Sequence, residues 1–208
     1  MKMGLIVFAR EPLPGKVKTR LAASLGDDLA TRVYEGMLQD VLQTTRQLDG
    51  VETVVFWASP EESLLMLAQR YRCTSRVQHQ GDLGERMQSA FEAMFTDGYD
   101  ACCIIGSDTP DLPLAYLVEA YRLLEMRHAD VVFGPSRDGG YYLLGLHQVS
   151  APLFTNITWS SSHVLEQSQA AAQKAGLSTA LLPEWQDIDT INDLRDFQER
   201  NKGTRWDH

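Results

Sequence analysis

Residues 3–21 read MGLIVFAREPLPGKVKTRL, and the change of character along that stretch decides the fold. Met3 to Ala9 is nearly continuous in apolar side chains, the pattern of a strand buried on both faces. Pro12, Pro14 and Gly15 then break the chain into a loop, and Arg10, Lys16, Lys18 and Arg20 place four cations within eleven residues of it. A strand buried on both faces needs a covering layer on each. The rest of the chain should therefore alternate helices with further strands of the same kind.

Further strands are expected at Val51–Ala58 (VETVVFWA), Arg76–His79, Ala101–Ile105 (ACCII), Asp130–Phe133, Tyr141–Leu146 and Ser178–Leu182. Between them lie helical patterns: from about Val17 or Leu25 to Leu48, after the Ser59-Pro60-Glu61-Glu62 start signal, Leu83–Phe95, Leu114–Met126, Ser160–Ala175 and Thr190–Arg200. The expected fold is α/β: a three-layer α/β/α sandwich on a mainly parallel sheet, with residues 1–208 forming one domain. In such sheets ligands bind outside the carboxyl ends of the strands.

Composition narrows what that ligand is. With 44% hydrophobic and 23% charged residues the chain has the makeup of a folded globule and not of a disordered segment. Nineteen Lys and Arg against 28 Asp and Glu give a net charge of −9, which disfavours a nucleic-acid backbone as partner. A local basic cluster still suits a small phosphorylated ligand. Cys73, Cys102 and Cys103 fit no disulfide or metal framework and read as thiols in a reducing cytoplasm. Leu5 to Ala9 is too short for a signal-peptide core. Residues 139–165 carry no formal charge, but Gln148, Ser150, Pro152, Asn156 and Ser160–Ser162 break them up, so no membrane span is expected.

Four loops carry candidate chemistry. In the first, Gly15 permits close backbone approach, while Arg10, Lys16, Lys18 and Arg20 suit phosphate capture ahead of a helix start. The second is GSDTPDLP, residues 106–113. Asp108, just past the strand ACCII, is placed for Mg²⁺ or Mn²⁺, whereas Asp111 is expected to act mainly as a helix N-cap. The third is GPSRDGGYYLLGL, residues 134–146. Arg137 and Asp138 could grip a substrate there, and Gly139-Gly140 could lie against a ligand or simply form a type I′ hairpin turn. The fourth is DIDT, residues 187–190, where Asp187 and Asp189 compete as metal ligands and Asp189 or Thr190 caps the last helix. A smaller stretch, QGDLGERM (80–87), matches a capping box at Asp82 and Glu85, with Gln80 and Arg86 in reach of a base or phosphate.

FAREPLPGKVKTRL, QGDLGERM, IGSDTPDLP, GPSRDGGYYLLGL and DIDTINDL occur in this order over roughly residues 4–197. Together they resemble the DUF2064 family of bacterial nucleotide-diphospho-sugar transferase-like proteins with the GT-A fold. More distantly they are similar to nucleotidyltransferases acting on small phosphorylated compounds. The resemblance implies a Rossmann-like sheet with a nucleotide diphosphate or triphosphate bound at its carboxyl edge. Lys16, Lys18 and Arg20 would cradle its phosphates, with Arg10, Gly15, Arg86, Gly139 and Gly140 also at the nucleotide. Mg²⁺ or Mn²⁺ would sit on Asp108 with Asp189, or with Asp187 as the competing choice. Lys18, Arg20 and Asp138 are the catalytic candidates, with Asp138 and Asp187 both open as general base. The activity implied is metal-dependent transfer from a nucleotide-activated donor to an acceptor the sequence does not identify. The alternatives are nucleotidyl transfer with release of pyrophosphate, and non-catalytic nucleotide binding.

Overall fold

A computed structural model describes residues 1–206 of the chain. Its centre is a seven-stranded sheet in the order β3-β2-β1-β4-β6-β5-β7. The strands are β1 (Met3–Arg10), β2 (Val51–Ala58), β3 (Thr74–Val77), β4 (Ala101–Ile105), β5 (Val131–Pro135), β6 (Tyr141–Leu146) and β7 (Thr179–Leu181). β1 runs parallel to both β2 and β4, β2 to β3, and β5 to β7, while β6 is antiparallel to its neighbours β4 and β5.

Continuous apolar runs suit such strands because successive side chains serve different layers. In β4, Ala101, Cys103 and Ile105 enter one core while Cys102 and Ile104 enter the other. The first core is covered by α2 (Asp27–Thr45), α3 (Leu64–Tyr71) and α5 (Leu114–Glu125) through Leu38, Leu67 and Leu117. The second is covered by α4 (Leu83–Thr96) and α6 (Val164–Lys174) through Phe91 and Ala172. This is the expected three-layer sandwich. A third core joins α1 (Thr19–Leu25), the start of α2 and α7 (Ile191–Arg200) around Leu21, Tyr34, Ile188 and Phe197. It lies where the first loop and the segment before α7 meet, and so fixes the site described below.

Several boundaries differ from expectation for local reasons. The first helical stretch is two helices, because Gly26 (φ 79°, ψ 158°) ends α1 and starts α2. α6 begins at Val164 and not at Ser160, whose φ of 64° interrupts helical geometry. The β5–β6 connection is not a type I′ turn. Its Gly139 N–H donates to the Ser136 carbonyl (3.1 Å), the Ser136 N–H to the Gly140 carbonyl (3.0 Å), and only Gly139 of the loop has a left-handed φ (88°). That is a three-residue hairpin with a glycine bulge. Asp111 caps no helix, since the N-cap of α5 is Pro113. It accepts from Trp185 Nε1 (3.2 Å), Arg200 (3.1 Å) and Asn201 Nδ2 (3.0 Å), tying α7 to the loop after β4.

Candidate functional site

The chain passes from β1 to β2 and β3 on one side, and β4 pairs with the other edge of β1. The carboxyl ends of β1 and β4 thus flank the point where the strand order reverses, the place for a ligand crevice in such a sheet. Tyr34 of α2 holds the two ends together. Its buried hydroxyl accepts the Arg10 N–H (2.8 Å) and lies 3.1 Å from Ser107 Oγ. Burial first, and then the nearby Asp108 charge, push its phenol up to about 12, so it stays a neutral hydrogen-bonding group.

Above these ends opens a cleft of about 520 Å³. Lys18, just ahead of α1, takes a left-handed conformation (φ 47°, ψ 46°) that lysine rarely adopts. Its side chain turns inward and is only 5% exposed. There the ammonium donates to the Ile188 carbonyl (2.5 Å) and lies 2.8 Å from Asp189 Oδ1 and 2.9 Å from Asp108 Oδ1. Burial opposes its charge, but the two carboxylates outweigh burial and hold the ammonium firmly protonated. Asp189 is delivered by its neighbours. Ile188 is fully buried and its N–H donates to the Asp108 carbonyl (3.0 Å), while Thr190 caps α7 in a capping box with Asp193. Arg20 stands outside, 3.8 Å from Asp189 Oδ2 and largely exposed.

Asp187 sits differently. Its Oδ1 is sealed from solvent with no hydrogen-bond partner among the described residues. Burial, followed by the charges of Asp108, Asp138 and Asp189, raises its carboxyl to about 7. Mg²⁺ and Mn²⁺ take hard oxygen donors, and Asp108, Asp187 and Asp189 fit that chemistry in kind. Two of the three are already paired, however: the Lys18 ammonium occupies the space between Asp108 and Asp189. No three His, Cys, Asp or Glu side chains among the described residues converge on a common point.

The other half of the cleft lies under β2 and β3. The buried Gln78 anchors its amide N–H on the Phe56 (2.8 Å) and Ala9 (3.2 Å) carbonyls, and its Oε1 accepts Arg86 Nη1 at 2.9 Å. Burial and the nearby Arg10 charge lower the Arg86 pKa, as expected for a half-buried guanidinium beside a second one. Asp82 and Glu85 form the expected capping box of α4.

Of the residues singled out by sequence, Arg10, Lys16, Lys18, Arg20, Arg86, Asp108 and Asp189 line this one cleft. Gly15, Asp138, Gly139, Gly140 and Asp187 do not. Gly139 is pressed onto the chain before α6, where a Cβ would fall 2.1 Å from the Ser162 carbonyl oxygen, so packing alone requires glycine. The Asp138 Oδ1 accepts the Gly140 N–H (2.9 Å) within the turn, and Arg137 pairs outward with Gln186 (2.7 Å) and Glu184 (3.5 Å). Tyr34, Ser107 and Gln78 escaped the sequence reading. Tyr34 falls on the apolar period of α2 and looks like core, and Gln78 lies within the expected strand Arg76–His79, whereas β3 ends at Val77 and leaves it just beyond.

Residues 41–161 match the family model described as "Uncharacterized protein conserved in bacteria (DUF2064)". No curated protein matches the chain. Among solved structures, it resembles a protein from Desulfovibrio desulfuricans G20 provisionally named a nucleotide-diphospho-sugar transferase. The two are 32% identical with a TM-score of 0.91, over 99% of this chain and 90% of that one. A CMP:2-keto-3-deoxy-manno-octonic acid synthetase complexed with CTP shares the fold at 13% identity and a TM-score of 0.63, over 97% of this chain and 98% of that one. Glucosyl-3-phosphoglycerate synthase from Mycobacterium tuberculosis, complexed with Mn²⁺, UDP and glucosyl-3-phosphoglycerate, does so at 13% and 0.57, over 96% and 76% of the two chains.

Proposed function

From the premise that the chain belongs to the DUF2064 family, we propose that it is a transferase acting on a nucleotide-diphospho-sugar donor. The observation that carries this reading is a concentration of cations at the switch point of an otherwise acidic protein. Arg10, Lys16, Lys18, Arg20 and Arg86 all line one cleft, and among the described residues no carboxylate pairs with Arg10 or Lys16. Cations left facing a crevice in a chain of net charge −9 have an anion as their natural partner.

The two halves of the cleft divide the work. Phe8, Leu83 and Met87 with the anchored Gln78 offer an apolar wall and fixed polar atoms for a nucleoside. Lys16 and Arg20 face the other half, where the diphosphate would lie. Breaking the sugar–phosphate bond leaves negative charge on the departing nucleoside diphosphate, and pre-placed cations stabilise that charge as it develops. A Mg²⁺ or Mn²⁺ ion arriving with the nucleotide would be held by Asp108 and Asp189 once the ammonium has left them, and would supply further compensation for the same charge. Cys102 and Cys103 are buried free thiols, and no helix of the described residues is long and apolar enough to cross a membrane. The thiols fit a cytoplasmic protein. One domain suffices for this activity.

Phosphorus NMR of the protein with Mg²⁺ and panels of sugar nucleotides, nucleoside triphosphates and candidate acceptors tests the reading. Release of a nucleoside diphosphate from a sugar nucleotide is the expected result. Pyrophosphate release from a triphosphate would replace it with nucleotidyl transfer, which the same cations would serve. Binding of donors without turnover of any would make the protein a nucleotide sensor.

A further inference from the structure

We infer that Lys18 is the resident cation of the carboxylate cluster and excludes divalent metal from the nucleotide-free protein. The inference deepens the reading of this cleft as a nucleotide site and rests on it for the ligand that would displace the ammonium. Three observations carry it. The Lys18 side chain is driven inward by a left-handed backbone and is almost wholly buried. Its ammonium contacts one oxygen each of Asp108 and Asp189, the pair a metal would have to share, at 2.9 and 2.8 Å. The donation to the Ile188 carbonyl (2.5 Å) is a third bond, which completes the donor capacity of the ammonium. A metal ion approaching the same oxygens would meet a fixed positive charge at contact distance.

The ammonium alone stands against the ion: the oxygens it covers, one each of Asp108 and Asp189, are hard donors of the kind Mn²⁺ takes. Removing the ammonium should therefore create a metal site where the wild type has none. In a titration of Mn²⁺ followed by electron paramagnetic resonance, without nucleotide, Lys18→Met is expected to bind one ion at least tenfold more tightly than the wild type. Adding Asp108→Asn to Lys18→Met is expected to return binding to the wild-type level. Equal Mn²⁺ affinity in wild type and Lys18→Met would overturn the inference.

Because Lys18 also holds the Ile188 segment, a second measurement uses the intact chain. The Lys18 ammonium signal in ¹⁵N-lysine NMR is expected to stay in place under millimolar Mg²⁺ alone. Its displacement by Mg²⁺ alone would equally overturn the inference. A nucleoside diphosphate added next reports on the functional reading separately. If it never binds, the nucleotide assignment falls while exclusion of the metal by Lys18 stands.

Discussion

Asp187→Asn is expected to be more stable than the wild type at about pH 8, by up to about 4 kcal/mol, while the two are alike near pH 4. The sign follows from the raised carboxyl. Burial and three neighbouring acids lift it from the ordinary 3.8 to about 7 in the folded protein. Between those values the native state holds a proton that the unfolded chain has lost. Stability therefore falls as pH rises through this window and levels off above about pH 7. A tenfold change in proton affinity corresponds to about 1.4 kcal/mol, so the rise from 3.8 to about 7 sets the upper size of the effect. Asparagine keeps the shape and cannot ionise. Urea denaturation of both proteins from about pH 4 to pH 8 measures the difference directly, with other titrating groups cancelling in the comparison. Parallel stability profiles would show that Asp187 ionises freely and that the carboxylates do not form one electrostatic cluster.

Gly139→Ala is expected to cost about 3 kcal/mol, most of it from a backbone clash that nothing nearby can relieve. The added Cβ would lie 2.1 Å from the Ser162 oxygen and 2.6 Å from its carbonyl carbon. The φ of +88° adds its own penalty of about 1 kcal/mol for a residue with a Cβ. Ser162 cannot retreat freely, because the Gly139 carbonyl accepts the Leu165 N–H (2.9 Å) at the start of α6. Gly140→Ala is the control. Its nearest neighbour would be the side-chain Oδ1 of Asp138 at 3.2 Å and no backbone atom, and a loss within about 1 kcal/mol is expected. A stable Gly139→Ala protein that loses nucleotide binding would instead return this glycine to the ligand, as its sequence context suggests.

The strands were legible because burial on both faces leaves a plain trace. β1 and β4 read as unbroken apolar runs for the reason that Leu5 and Cys103 serve one layer while Ile6 and Cys102 serve the other. The first loop was legible through its charge: four cations after such a strand stand out in an acidic chain. What the sequence could not show is contact between distant segments. Lys18 and Asp189 are separated by 171 positions and meet because Ile188 and Leu21 share a core that no local pattern announces. Asp111 looks like a cap and serves as a tie for α7, since its partners Arg200 and Asn201 come from the far end of the chain. Gly139-Gly140 reads the same whether the glycines face a ligand or a neighbouring carbonyl; only the position of Ser162 decides.

Lys18 gathers these strands of evidence. One residue with an unusual backbone conformation links the first loop, the end of β4 and the segment before α7 through a single ammonium. The basic first loop and the carboxylates of Asp108 and Asp189 are thereby mechanically joined.

The central claim is that this cleft takes a nucleotide by its phosphates through the first loop. Isothermal titration of a panel of nucleoside diphosphates, triphosphates and sugar nucleotides into the wild type and a Lys16→Ala/Arg20→Ala variant tests it most directly. Both replaced side chains are exposed at the cleft, and Arg20 gives up only its loose 3.8 Å approach to Asp189, so the variant should fold. At least one phosphate-bearing nucleotide should bind the wild type, and the variant should bind it at least about tenfold more weakly, the loss expected from removing two charge-assisted contacts. Binding that is the same in both proteins, or absent for every nucleotide in the panel, would contradict the account.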